Sequence, residues 1–384
     1  MRTERVKAEK LNNSRAKGYS DFAIVILVTI LVIFGVVMVF SASYYKSIND
    51  TTSGTPFAFL KRQAVYAAIG FFIMAACSHI NYKYYKRFAP LILLLSFLLL
   101  VAVLTPLGFS SGGATRLIRL GPISIMPGEV AKLAVIIFAA AYLSTDSKLI
   151  LSFRSGVLPM LAVMVVFGGL IIKQPNLSTA ITVCGIIAGI MFIAGLQWRY
   201  VISALVLGSG AIGFLVAFGD KIGGAHWKKR IVSFMDPFAD ALGDGFQVVQ
   251  SLLALGSGGL FGLGLGKSIQ KNLYLPEPQN DFILAIIGEE LGFVGVLALL
   301  IVYMLLIWRC FHICLNAPDR FSMLMCGGIT VMLALQVILN VAVVTSSMPP
   351  TGIALPFISY GGNSLWIFMA SMGIMLNVSK KSRQ

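Results

Sequence analysis

Of 384 residues, 58% are hydrophobic and only 12% charged, and the mean hydropathy is +0.88. About a quarter of a soluble chain is charged, so the composition excludes a soluble globular domain, and no alternating ten-residue strands suggest a membrane barrel. The net charge of +15 lies in the N-terminal tail and in short loops, as a positive-inside bias requires, which sets nucleic-acid binding aside.

The chain reads as an all-α integral membrane protein. A basic tail over residues 1–21 carries Arg2, Arg5, Lys7, Lys10, Arg15 and Lys17 and is suited to anionic headgroups. One polytopic membrane domain follows over 22–378, then a short tail over 379–384. About ten spans are predicted, at 22–42, 64–80, 89–107, 129–143, 155–172, 177–195, 200–218, 282–308, 321–344 and 362–378. The first ends in Ser41-Ala42-Ser43 like a signal peptide, but it is long for one and many spans follow, so it is read as uncleaved. With both termini inside, the inner segments hold seventeen Lys and Arg and the short outer ones six. The stretch 219–280, too long to count in that rule, becomes a large outer loop, with an interfacial helix expected near Gln247–Leu255.

Five cysteines supply no disulfide framework. Cys310, His312 and Cys314 offer three metal ligands without a fourth, and small core residues are the better reading. Gly262 to Ser268 imitates a phosphate loop, but Phe261 stands where glycine is required and no strand precedes it. Its backbone beside Lys267 and Lys271 is either a hinge or a cradle for a pyrophosphate.

Carboxylates inside a membrane protein need a partner or a task. Asp281 stands where the eighth span begins, as an N-cap or a functional group. Glu289 falls near its face two turns on, while Glu290 points away. Arg116, Arg119, Glu129 and Lys132 form a second group, with Glu129 and Lys132 three apart on one face. Arginine suits bidentate phosphate contacts; Arg62 could add to them or merely snorkel. Gln336 and Asn340 read as glue between helices, and the breakers from Met348 to Gly362 demand irregular backbone around a wet cavity.

Several motifs in order resemble the SEDS family of cell-wall polymerases, which includes FtsW, RodA and SpoVE. They are Gly113-Ala114-Thr115-Arg116, Pro127-x-Glu129-x-x-Lys132, Gln174-Pro175, Leu275-Pro276-Glu277 with Asp281-Phe282-Ile283, Gly288-Glu289-Glu290-Leu291-Gly292, and Pro356 to Gly362 including Ser359. The Glu289 motif resembles the FtsW and SpoVE branch more than RodA. The resemblance implies a ten-span glycosyltransferase that elongates glycan from lipid II beside a class B penicillin-binding protein, with Asp281 at the essential aspartate. Three motifs depart from the family pattern: Met126 and Gly128 stand for Gln and Ser, Asn176 and Ser178 for Asp and Gly, and Asn363 for Ser. Asn176 removes a charge.

Such a reaction starts from a lipid pyrophosphate and needs neither ATP nor a sugar nucleotide. One carboxylate suffices as base for inversion, whereas retention needs a second, close one. Asp281 is the expected base. Arg62, Arg116, Lys132 and Lys271 would neutralise pyrophosphate, with Glu129, Glu289 and Ser359 completing the site. A divalent cation, Mg²⁺ or Mn²⁺, could share that work, although no ligand set is visible. The rival classes are a transporter that flips lipid-linked precursor, which would spread polar groups to the midplane, and a scaffold that only recruits cell-wall enzymes.

Overall fold

The computed structural model describes residues 21–49, 55–111, 114–121, 123–200, 202–203, 234, 237–238, 243, 245–272 and 274–382. The described helices are α1 (Phe22–Asn49), α2 (Ala58–His79), α3 (Tyr82–Ala102), α4 (Pro127–Leu143), α5 (Leu158–Ile172), α6 (Leu177–Ile193), α7 (Phe246–Gly258), α8 (Ile283–Leu315), α9 (Arg320–Val344) and α10 (Gly362–Ser379). Six helical stretches are long and apolar enough to cross a membrane: α1, α2, α3, α8, α9 and the one that ends in α5. α6 is a shorter apolar helix, and α4 and α10 are largely buried. The chain is a multi-pass membrane protein, mostly helical as its composition dictates. Most of the predicted span 200–218, and most of the loop as far as Gly243, lie outside the described residues.

α4, α6 and α9 pack against one another at the centre. Gly185-x-x-x-Gly189 makes this possible. A Cβ at either glycine would come within 2.7 Å of Leu335 or Val331 on α9, the close approach that small residues four apart provide between membrane helices. α2, α3 and α5 turn broad apolar faces outward, suited to lipid.

Two features depart from a row of straight helices. A three-stranded antiparallel sheet, β1 (Gly108–Ser111), β2 (Ala114–Leu120) and β3 (Ile123–Ile125), joins α3 to α4. It pairs Phe109 with Leu117 and Arg119 with Ser124. Its strands are too short for hydropathy to flag. The other feature is a break in α8 at Gly292 (φ 68°, ψ −171°). Backbone donors freed by the break bond the loop after α7: Phe293 N–H to Gly259 at 2.9 Å and Val294 N–H to Leu260 at 3.1 Å. Leu263 and Gly264 N–H return bonds to the carbonyls of Glu289 and Glu290. A Cβ on Gly292 would lie 2.4 Å from the nitrogen of Gly262, so only glycine lets the two segments meet. The glycine-rich loop is thus a packing seam, with the N–H groups of Gly262, Leu263, Gly264 and Lys267 already committed. α7 occupies the stretch expected to be interfacial, but it is packed on α8 and α9, and Ser251 donates to the carbonyl of Val344.

Candidate active site

Asp281 precedes α8, yet it does not cap that helix. The N-cap position is Phe282, and no side-chain bond closes the helix start. The carboxyl lines a cavity of about 560 Å³. Its backbone is tied down on several sides. Asn340 on α9 donates to the carbonyls of Asp281 (2.9 Å) and Ile353 (2.6 Å). Ser359 Oγ donates to the Asn280 carbonyl at 2.7 Å, and Tyr360 N–H to that of Gln279 at 2.9 Å. Glu277, ion-paired with Lys46, accepts from Gln279 and Asn280. Ser359 therefore serves as a brace for the aspartate segment.

The irregular backbone predicted before the last helix wraps this segment. Gly352 (φ +72°) passes so close that a Cβ there would stand 3.0 Å from Oδ2 of Asp281. Burial pushes the Asp281 carboxyl from 3.8 up to about 6, with Arg116 pulling it down and Glu277 pushing it up. A carboxylate near that value is suited to take a proton at neutral pH.

The cations come from other elements. Arg116 on β2 lines the cavity and donates to the carbonyl of Pro175 in the turn between α5 and α6. Lys132, buried on α4, holds Glu129 at 2.7 Å and Gln336 of α9 at 2.8 Å. Gln336 passes the chain of bonds on to the Ala354 carbonyl at 3.1 Å. Gln336 and Asn340 thus glue α9 to its neighbours and shape the cavity as well.

The N-terminal turns of α4, α6 and α10 also reach this cavity, through Glu129, Thr179 and Gly362. Helix N-termini carry partial positive charge and free N–H groups, and together they favour an anion. Asn363 holds two of the walls in register, accepting from Met126 N–H at 3.3 Å and donating to the Ser124 carbonyl at 2.9 Å. Sequence reasoning missed Thr179, Thr182 and Asn363 as lining residues. The first two were legible as hydroxyls three apart in an apolar span.

Not every expected residue converges here. Arg62 is exposed and is not among the residues lining the cavity, although its charge acts on Tyr360, which is. Arg119 lies over the Phe109 ring, 3.5 Å from its centroid, outside the cavity lining. Lys271, Glu289 and Glu290 form a separate buried cluster beneath the glycine-rich loop. Glu290 accepts from Lys271 (2.8 Å) and Ser41 (2.7 Å). Glu289 accepts from Ser268 and from the N–H groups of Ile269 and Gln270. These acids hold the α8 break together and are not among the residues lining the cavity. Cys310 and Cys314 are buried while His312 is exposed, and among the described residues no three His, Cys, Asp or Glu side chains are placed to hold a metal.

The family model of the cell cycle proteins FtsW, RodA and SpoVE matches residues 22–384. The chain belongs to that family. It is 41% identical to stage V sporulation protein E of Bacillus subtilis (strain 168), covering 96% of this chain and 99% of that protein. It is 40% identical to the probable peptidoglycan glycosyltransferase FtsW of Geobacter sp. (strain M18), with the same coverage of 96% and 99%. Among solved structures, it superposes on a chain of a peptidoglycan synthase complex that coordinates polymerization and crosslinking, with TM-score 0.78 and 29% identity over 94% of this chain and 98% of that one. The rod shape determining protein RodA of Thermus thermophilus matches with TM-score 0.69 and 28% identity over 95% and 98%. The match spans the Asp281 segment and the other residues that line the cavity just described.

Proposed function

We propose that the chain is a peptidoglycan glycosyltransferase that polymerises lipid II into glycan strands on the outer face of the cytoplasmic membrane. The observation that carries this reading is a carboxyl of raised pKa, Asp281, held in one cavity with Arg116, Lys132 and three helix N-termini. The cations and N-termini suit a pyrophosphate, and the carboxylate suits the proton of an attacking hydroxyl. The relatives named as glycosyltransferases align along nearly the whole chain.

In this mechanism the acceptor hydroxyl attacks the anomeric carbon of the donor sugar. The bond from that carbon to the pyrophosphate oxygen breaks, the lipid pyrophosphate leaves, and the proton passes to Asp281. Arg116, Lys132 and the N-termini take up the charge that develops on the leaving group. Glu129, the other carboxylate of the cavity, is paired with Lys132, which leaves Asp281 as single base and favours inversion over a covalent sugar intermediate. A Mg²⁺ or Mn²⁺ ion arriving with the pyrophosphate would share the neutralisation, so chelation with EDTA should slow the reaction and either ion should restore it. The charge bias of the loops supports an outward-facing cavity, and a class B penicillin-binding protein would crosslink the product. The buried partners of Glu289 and Glu290 remove the chief support for a transporter.

The decisive experiment incubates purified protein and its transpeptidase partner with lipid II. Glycan chains should form, and Asp281→Asn should abolish them while partner binding and melting temperature persist. Full activity in Asp281→Asn overturns the assignment of the base. Absence of glycan from the parent protein with intact partner binding supports a scaffold instead.

A further inference from the structure

α4 and α10 start at the cavity and run about 25 Å to the opposite end of the molecule. There a second cavity, of about 500 Å³, opens between the starts of α3 and α9 and the end of α4. Lys83, Lys86, Arg87 and Arg320 line it, and Asp319 is the one acid among its lining residues. Asp319 is already engaged. It accepts from Tyr82 Oη at 2.6 Å and Ser322 N–H at 2.8 Å. Arg320 is engaged too, donating to the carbonyls of Leu143, Ser147 and Ala194.

The exposed cations Lys83, Lys86 and Arg87 remain at the rim, with Lys381 beside them over the Tyr82 ring, 4.9 Å from its centroid. Burial, and then the proximity of Lys83, hold the Lys381 ammonium below its ordinary value although Asp319 opposes them. Positive charge in this pocket exceeds what the protein itself neutralises.

The helix below the charges supplies the second observation. Lys83, Arg87, Leu91, Leu94 and Leu98 follow one another at steps of four or three residues along α3 and so share a face. Leu91, Leu94 and Leu98 are each about half exposed, at 50%, 52% and 51%. A cationic pocket continuous with an exposed leucine ridge matches a molecule with an anionic head and apolar chains. A soluble phosphate would use only the first part.

We propose that this pocket binds the phosphate headgroup of an anionic phospholipid, with its acyl chains laid along Leu91, Leu94 and Leu98. Basic pockets between membrane helices recognise such headgroups, and the phosphodiester would be gripped by Lys83, Lys86 and Arg87. The site is separate from the proposed active site and stands whether or not the glycosyltransferase reading does.

Native mass spectrometry of the purified full-length chain, with dioleoyl phosphatidylglycerol or dioleoyl phosphatidylcholine added, tests it. Phosphatidylglycerol should be retained and phosphatidylcholine lost. Lys83→Gln/Lys86→Gln/Arg87→Gln should weaken phosphatidylglycerol binding roughly 100-fold. Arg154→Gln/Arg199→Gln, which neutralises two other cations near the stacked Phe153 and Tyr200, should leave it unchanged. Should the triple variant misfold, Lys83→Gln/Arg87→Gln spares Lys86 over the Phe321 ring and should still weaken binding roughly 30-fold. Equal retention of both lipids, unchanged binding in the folded variants, or an equal loss in the Arg154/Arg199 control would overturn the proposal. Displacement of the lipid by millimolar inorganic phosphate would also overturn it, by assigning the pocket to a soluble anion.

Discussion

A Cβ placed on Gly352 would lie 3.0 Å from Oδ2 of Asp281, so the backbone of one loop sets where the proposed base can stand. Gly352 also has φ +72°, which costs an L residue about 1 kcal/mol or more. Gly352→Ala should therefore shift the carboxylate as well as strain the loop. We expect polymerisation to fall by about tenfold, since relieving the contact moves the carboxylate by a few tenths of an ångström, less than the ~1 Å that costs about 100-fold. Melting temperature should drop only modestly. Single-turnover assays on lipid II beside a thermal-shift curve would separate the two effects.

The acidity of Asp281 makes the reaction pH-dependent. Its carboxyl is held up at about 6, and it acts as a base only when ionised. The rate should rise about tenfold per pH unit below 6 and level off above it. Stability should move the other way. Between 3.8 and about 6 the native state binds more protons than the unfolded one, so this group lowers stability as pH rises through that window. Asp281→Asn should lose both dependences, which a pH series of melting temperatures on parent and variant would read.

Three of the residues that depart from the family pattern, Gly128, Asn176 and Asn363, meet in space, and they give a third prediction. Asn176 caps α6, accepting from Thr179 N–H at 3.3 Å. A Cβ on Gly128 would lie 3.0 Å from Thr179 Cγ2 and 3.7 Å from Asn176 Nδ2. Asn363 binds the residues just before α4. Gly128→Ser alone should crowd Thr179 and lower stability by about 1 kcal/mol. With Asn176→Asp added, the serine hydroxyl gains a carboxylate to donate to, and the pair should recover that loss. A double-mutant cycle by thermal or denaturant unfolding would show a coupling of about 1 kcal/mol or more.

These residues also show how far the sequence carries. Apolar runs and loop charge were enough for the helical membrane class, because a helix must satisfy its backbone in lipid and leaves a long apolar signature. Asp281, Glu129 and Lys132 were legible because charge near a membrane helix end stands out against leucine, and Arg116 as a cation in a short loop between spans; the structure brings all four to one cavity. Lys271 and Glu289 stood out equally and went elsewhere. Their partners, Ser41, Ser268 and two backbone N–H groups, are set by the break at Gly292, which a hydropathy profile does not register. The β-sheet that carries Arg116 was hidden for a similar reason, since three short strands at a helix junction produce no sustained period.

Two ion pairs that are buried among the described residues should separate function from fold. Lys132 and Glu129 line the cavity, whereas Lys271 and Glu290 brace the α8 break. Removing one partner of a buried pair strands the other charge and costs about 3–5 kcal/mol, while replacing both by apolar groups of similar size is often neutral. Lys271→Met should therefore destabilise strongly, and Lys271→Met/Glu290→Leu should regain stability with polymerisation per folded molecule near the parent value. Lys132→Met/Glu129→Leu should regain stability in the same way. Its polymerisation should nevertheless stay at least about tenfold down, because the cavity has lost a cation aimed at the leaving group. Melting temperatures and glycan yields on all three variants would check this. Equal activity losses in the two double variants would return Lys271 to the list of substrate contacts.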